Sequence, residues 1–194
     1  MMVKSTMLPV GYMAKQVIPR PEWLQAQQVL DIYSVSGCMS KNFADYIKFW
    51  KHNGYWLFDS PNIIQQLAQE QSIDLSETSL FYYEVHELEF IEDESIWEKF
   101  EAETAFKTQV EIPSMKALEG YDLVSFSMGT SAQCSPLSCN GLANHVETNP
   151  HCLLDSFDQA RQLVESSQFK EVEPGPYRIL AVYSLEWPDP GFSE

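Results

Sequence analysis

The chain has 194 residues, enough for one domain with a full hydrophobic core and no need of disulfide or metal staples. Its 28 acidic residues outnumber 12 basic ones, giving a net charge of −16. Such a charge repels phosphate backbones and anionic lipid surfaces, so nucleic acid and membranes are excluded as ordinary partners, while a basic protein, a cation or a neutral small molecule stays open. Aromatic residues make up 13% of the chain and bring enough apolar area for a well-filled core.

The opening stretch MMVKSTMLPVGYM holds no apolar run of signal-peptide length, and no later stretch approaches a transmembrane span. A cytoplasmic protein with its four cysteines reduced is the expectation. Up to Glu22 the chain carries Lys4, Lys15 and Arg20 and no acid, the pattern of an arm or an edge element. QQVLDIYSVSG then reads as a strand ending at Gly37.

Phe43, Tyr46, Ile47 and Trp50 recur at helical spacing and predict an amphipathic helix stopped by Asn53-Gly54. YWLF reads as a short buried extended piece. Ser60-Pro61 opens a second helix, with Ser as N-cap and Pro in the first helical position, and Ile63, Ile64, Leu67 and Ala68 form its apolar stripe.

The middle of the chain reads as β. LFYYEVHELEF is rich in strand formers, but its alternation is imperfect, as if it carried a bulge. TAFKTQVEI alternates cleanly and predicts a half-buried strand. Between them Ser95 and Glu98 have capping-box spacing, which predicts one helical turn. YDLVSFSM is a further strand. HCLLDS reads as a strand running into a helix capped by Ser156 with Gln159. After the turn EPGP, the residues Tyr177, Ile179, Ala181, Tyr183, Leu185 and Trp187 fall on one face of a central strand.

Helices and strands are interspersed, yet several strands are joined by short links. The expected fold is therefore α+β: a mainly antiparallel or mixed central sheet with three to four helices packed on it. A single domain over residues 1–194 is expected, with a subdivision near 72–79 between a helical first part and a β-rich second part.

The segment CSPLSCNGLANHVETNPHC, residues 134–152, gathers three of the four cysteines and two of the four histidines. Ser135-Pro136 repeats the helix-start pattern. With Ser135 as N-cap, Cys134 and Cys139 occupy the N′ and N4 positions, which pack together as a hydrophobic staple. The same geometry sets two thiols beside the positive end of a helix, where a reactive thiolate is favoured, with His145 or His151 as base. Zinc ligation fits the residue types, but His145 falls well round the helix from Cys139 and the spacing has no zinc signature; no metal and no cofactor is assigned.

Three further places carry chemistry-bearing residues. Cys38 lies between a strand and a helix, where a small packed residue is the plainer reading. Glu84 and His86 share a strand face with Tyr82. From Glu84 to Glu103 the acids are opposed only by Lys99. The plainer reading of that run is a solvated hairpin tip; the functional one is a docking edge for a basic protein formed by Glu92, Asp93 and Glu94, with Trp97 as an aromatic anchor. No GxGxxG, P-loop, GxSxG, HExxH or EF-hand pattern is present.

Two functional readings follow. The leading one is an acidic binding or regulatory protein, of inhibitor, immunity or adaptor type. The other is a thiol-dependent enzyme or redox switch built on Cys134 and Cys139.

Overall fold

The structure is a computed structural model that describes residues 6–39, 53, 55–100, 109–126, 134–166 and 174–188, with Cys38 described by its backbone alone. Among the described residues eight strands and two α-helices follow in chain order: β1 (Met7–Lys15), β2 (Ile18–Pro19), β3 (Asp31–Ile32), α1 (Pro61–Gln71), β4 (Ser79–His86), β5 (Leu88–Ile91), β6 (Ile96–Lys99), β7 (Ala117–Ser125), α2 (Phe157–Glu165) and β8 (Tyr177–Leu185).

β8 is the axis of the main sheet. It pairs antiparallel with β4 along one edge and with β7 along the other. β1 extends the sheet beyond β4, and the β5–β6 hairpin joins β8 at its start, through Phe90 opposite Tyr177. The expected central strand is buried on both faces: Ile179 and Ala181 on one side are as inaccessible as Leu180 and Val182 on the other. Two cores result. Phe81, Tyr83, Leu180 and Val182 pack with Met13 of β1 and with Ile64 and Leu67 of α1. Leu123, Tyr177 and Ile179 pack with Ala160 and Val164 of α2 and with Leu24, Ile32 and Leu137.

The sheet departs from regular pairing at two glycines. Register shifts occur between Pro9 and Gly11 in β1 and between Leu118 and Gly120 in β7. Gly120 has φ +148, and a Cβ there would lie 2.8 Å from both the Leu153 Cβ and the Leu154 carbonyl oxygen. Only glycine accepts that backbone and lets the 153–154 segment close against the strand, where Leu154 bridges to Tyr121.

The expectation of three to four helices is overturned: two α-helices are present among the described residues, and the fold is mostly antiparallel sheet. Both follow Ser-led starts. α1 opens with Ser60 extended and Pro61 in its first turn, although the Ser60 side chain makes no capping bond, and it closes on left-handed Ser72. α2 is capped as expected: Ser156 Oγ accepts from the Gln159 amide at 3.2 Å, and Gln159 Oε1 accepts from the Asp155 amide at 3.0 Å.

The other two starts give no helix, each for a local reason. Ser95 takes φ +55 to close the β5–β6 hairpin, so the capping-box spacing of Ser95 and Glu98 lies across a turn into a strand. At Ser135-Pro136 one helical turn forms, closed by the Cys139 amide on the Ser135 carbonyl at 2.8 Å, and then stops. The stripe from Phe43 to Trp50 lies outside the described residues.

Three expected strands are shorter than their patterns. In QQVLDIYSVSG only Asp31–Ile32 pairs as strand; the Leu30 and Tyr33 amides donate instead to the carbonyls of Pro150 and His151. In HCLLDS only Leu154 makes a bridge. Of TAFKTQVEI, residues 104–108 lie outside the description, and 109–112 run as a strap held by Asp59, whose side chain accepts from the Gln109 amide and whose carbonyl accepts from that of Glu111. LFYYEVHELEF breaks at Glu87 into β4 and β5.

Candidate functional site

The cysteine segment is built around a carboxylate that lies outside it. Asp122 of β7 is fully buried. Its Oδ1 accepts from Ser135 Oγ at 2.6 Å and from the Leu123 amide at 2.9 Å, and its Oδ2 from Ser34 Oγ at 2.8 Å and the Val35 amide at 2.9 Å. Lys15, only 2% exposed, donates from Nζ to the carbonyls of Ser34 and Ser36, the latter at 2.9 Å. Burial pushes the Asp122 carboxyl up, while the bonds from Ser135, Val35 and Ser34 and the charge of Lys15 pull it back. One buried polar knot thus ties β1, the 34–36 segment, β7 and the cysteine segment together. Within it the Ser135 hydroxyl donates to Asp122.

Cys139 and Cys152 lie beside this knot. Cys139 is half-buried, with Sγ 3.7 Å from Ser36 Oγ and 4.0 Å from Ser138 Oγ, and Cys134 is half-buried one turn before it. Cys152 is buried in left-handed backbone at φ +60. Burial, with the nearby Asp122 and Cys139, pushes its thiol up to about 12. Burial first, and then the charge of Asp122, disfavours the thiolate at Cys152, the opposite of what a nucleophile there needs.

The two histidines of the segment turn elsewhere. His145 is exposed. His151 stacks on Tyr33 with centroids 4.0 Å apart, holds Asp31 Oδ1 at 2.6 Å through Nδ1, and faces Glu119 Oε2 at 3.7 Å through Nε2. Among the described residues no hydrogen bond joins either imidazole to Cys134 or Cys139, and no group of three His, Cys, Asp or Glu side chains is placed to hold a metal ion.

The acidic run divides into engaged and open members. Glu89 holds the buried Arg178 guanidinium through Nε and Nη2, both at 2.8 Å, with the rings of Phe100 and Phe126 on the guanidinium. Glu92 accepts from the Tyr177 hydroxyl at 3.4 Å. Trp97 lies on Phe90 and His86 and donates from its indole nitrogen to Glu165 at 2.8 Å, so it serves the hairpin's own packing. Asp93 and Glu94 stand exposed at the hairpin tip.

A second feature lies at the other end of β8. A groove of about 850 Å³ runs between the 111–117 strap, the first turn of α1 and residues 184–188. Leu80, Met115, Leu185 and Trp187 give it apolar walls, and Glu111 and Glu186 are exposed on it. Ile63, Ile112, Met115 and Leu118 are exposed large apolar residues of the surrounding segments.

Beside this groove Tyr12, Tyr82 and Tyr183 stand in one register row across β1, β4 and β8. In the next row Glu84 and Tyr121 flank Ala181, whose small side chain leaves space between them. Glu84 accepts from the Tyr82 hydroxyl at 3.3 Å and the Tyr183 hydroxyl at 3.0 Å. Burial raises both phenols, and the Glu84 charge adds to it. The Lys116 ammonium pairs with the Glu84 carboxylate and lies over the rings of Tyr183 and Tyr82, 4.2 and 4.9 Å from their centroids.

Shared facing of Tyr82 and Glu84 was visible in the strand period. The partners Tyr183 and Lys116 were not, because they arrive from 99 and 32 residues away. His86, on the same strand, turns from Glu84 to the Leu88 carbonyl, Trp97 and Phe157. No family model, curated protein or solved structure matches the chain, and among the described residues no helix is long and apolar enough to cross a membrane.

Proposed function

We propose that the protein is a binding protein for a basic, extended polypeptide segment of a partner, which it holds in the groove beside residues 184–188. The observation that carries this reading is the lining of the groove: apolar walls from Leu80, Met115, Leu185 and Trp187, with exposed carboxylates at Glu111 and Glu186. Among the described residues lining it the one ammonium, that of Lys116, is engaged with Glu84. Apolar walls take the stems of long cationic side chains, and the rim carboxylates meet their heads. The overall charge of −16 adds long-range attraction for such a partner. The exposed Asp93 and Glu94 belong to the opposite end of β8 and act through that field, at a distance from the groove.

A fluorescent octapeptide of alternating lysine and leucine tests the reading by titration. Binding that weakens several-fold in Glu111→Gln and Glu186→Gln, in line with about 0.2–1 kcal/mol per exposed charge pair, is the expected result. Equal affinity for wild type and the double variant, or no saturable binding by wild type, would overturn it.

A further inference from the structure

We infer that Glu84, Tyr82 and Tyr183 form an ammonium-binding cage for a lysine side chain of the partner, and that Lys116 holds this cage in the unliganded protein. The inference rests on the groove reading and names the chemistry of its anchor. Two tyrosine rings and a carboxylate around one ammonium are the elements by which proteins recognise alkylammonium groups: ring faces attract the cation and the carboxylate neutralises it. The structure shows the site with such a group in place, since Lys116 Nζ pairs with Glu84 and lies 4.2 Å and 4.9 Å from the two ring centroids.

The cage is built into the sheet. Tyr82 is fully buried and in register with Tyr183, and the hydroxyls of both are committed to Glu84, which fixes the ring orientation. Its occupant is the least embedded member. The Lys116 side chain is 27% exposed, against 14% for that of Glu84, and Lys116 precedes β7 at the end of the strap. It also lines the groove, as does Tyr12, whose ring lies 5.0 Å from that of Tyr82. Withdrawal of one lysine side chain therefore joins groove and cage into a single concavity. A segment lying in the groove with a lysine at this point exchanges its ammonium for that of Lys116, and the intramolecular lysine sets a threshold that weak cations do not pass.

Tetramethylammonium reads the cage without the groove. Titrated into Lys116→Ala and followed by the tyrosine ring resonances, it should bind about tenfold more tightly than to wild type, and the gain should vanish in Lys116→Ala/Glu84→Gln. Lys116→Gln serves as a second opened form, and circular dichroism checks that each variant folds. The lysine–leucine octapeptide should also bind Lys116→Ala more tightly than wild type. No gain for tetramethylammonium in either opened form overturns the cage. A gain for tetramethylammonium with unchanged octapeptide affinity overturns the role of the partner's lysine. The Glu111 and Glu186 variants report on the groove separately, so a failure of the groove and a failure of the cage give different results.

Discussion

Ser135 Oγ donates to Asp122 Oδ1 across 2.6 Å, and through this bond the cysteine segment is fastened to β7. Both residues are fully buried. Ser135→Ala leaves Oδ1 with the Leu123 amide as its remaining donor and should destabilise by about 1–3 kcal/mol, the loss of one hydrogen bond to a buried carboxylate. Asp122→Ala strands the Ser34 and Ser135 hydroxyls and the Val35 and Leu123 amides and removes the negative charge near Lys15, so it should cost more, about 3–5 kcal/mol. Urea midpoints at constant slope measure both; a Ser135→Ala midpoint equal to wild type would show that the knot does not hold the segment.

Gly120→Ala should be among the most damaging small substitutions. It combines a left-side φ with Cβ approaches of 2.8 Å to Leu153 and Leu154. Backbone strain and overpacking each contribute about 1–3 kcal/mol. Gly37→Ala, where a Cβ would meet nothing within 4 Å, is the control and should leave the thermal midpoint nearly unchanged.

Stability should fall on the acid side through His86. Burial lowers its imidazole from the ordinary value of 6.5, and Arg161 adds to the shift, while Glu87 and the Leu88 carbonyl oppose it; Trp97 and Phe157 pack on the ring. A depressed folded value means that the unfolded chain takes up the proton first. The contribution of His86 is therefore present above 6.5 and is lost as pH falls through the depressed value. His86→Gln should flatten the stability profile in that window, and an unchanged slope between wild type and variant would exclude His86 as its source.

The Cys152 thiol should resist alkylation in the folded protein, being 1% exposed and pushed up to about 12. Iodoacetamide mass mapping at pH 8 should modify Cys152 only as fast as the protein opens, and denaturant should accelerate it. Rapid labelling of Cys152 under native conditions would contradict its placement in the second core.

Reversing Asp93 and Glu94 to lysine should slow association with the lysine–leucine octapeptide at low salt and leave dissociation almost unaffected, since both side chains stand away from the groove. The difference should shrink as ionic strength rises and the Debye length falls. Stopped-flow traces at two salt concentrations measure it; a changed off-rate instead would place the hairpin tip inside the interface.

What could be read from residue order alone was whatever is settled within a few residues. The starts of α1 and α2, the central strand at Tyr177 and the strand at Ser79 belong to this class, because a Ser-led helix start or a run of β-branched and aromatic residues decides them locally. At Ser135 the expected helix is a single turn, and the Ser135 hydroxyl donates to Asp122, 13 residues earlier, a partner that no local spacing announces. The first segment, expected as an arm or an edge element, supplies β1 at the edge of the sheet, yet Lys15 at its end is among the most buried large side chains, since its partners at Ser34 and Ser36 come from a different segment. Trp97, an aromatic anchor by its place in the acidic run, has its indole nitrogen on Glu165, on a helix 68 residues away. The groove and the tyrosine row are equally non-local: β8 brings Tyr183 to Tyr82, and no local spacing announces that.

The place of β8 at the axis of the sheet also governs how the protein reaches its fold. Its two long ladders join it to β4 and β7, so the sheet pairs segments about a hundred and about sixty residues apart in the chain. Until residues 177–185 are present, β4 and β7 each carry an unpaired edge and the apolar faces that later form both cores. Folding should therefore be slow, on the scale of milliseconds to seconds typical of such non-local sheets, and the vulnerable species should be the chain caught before its last strand inserts.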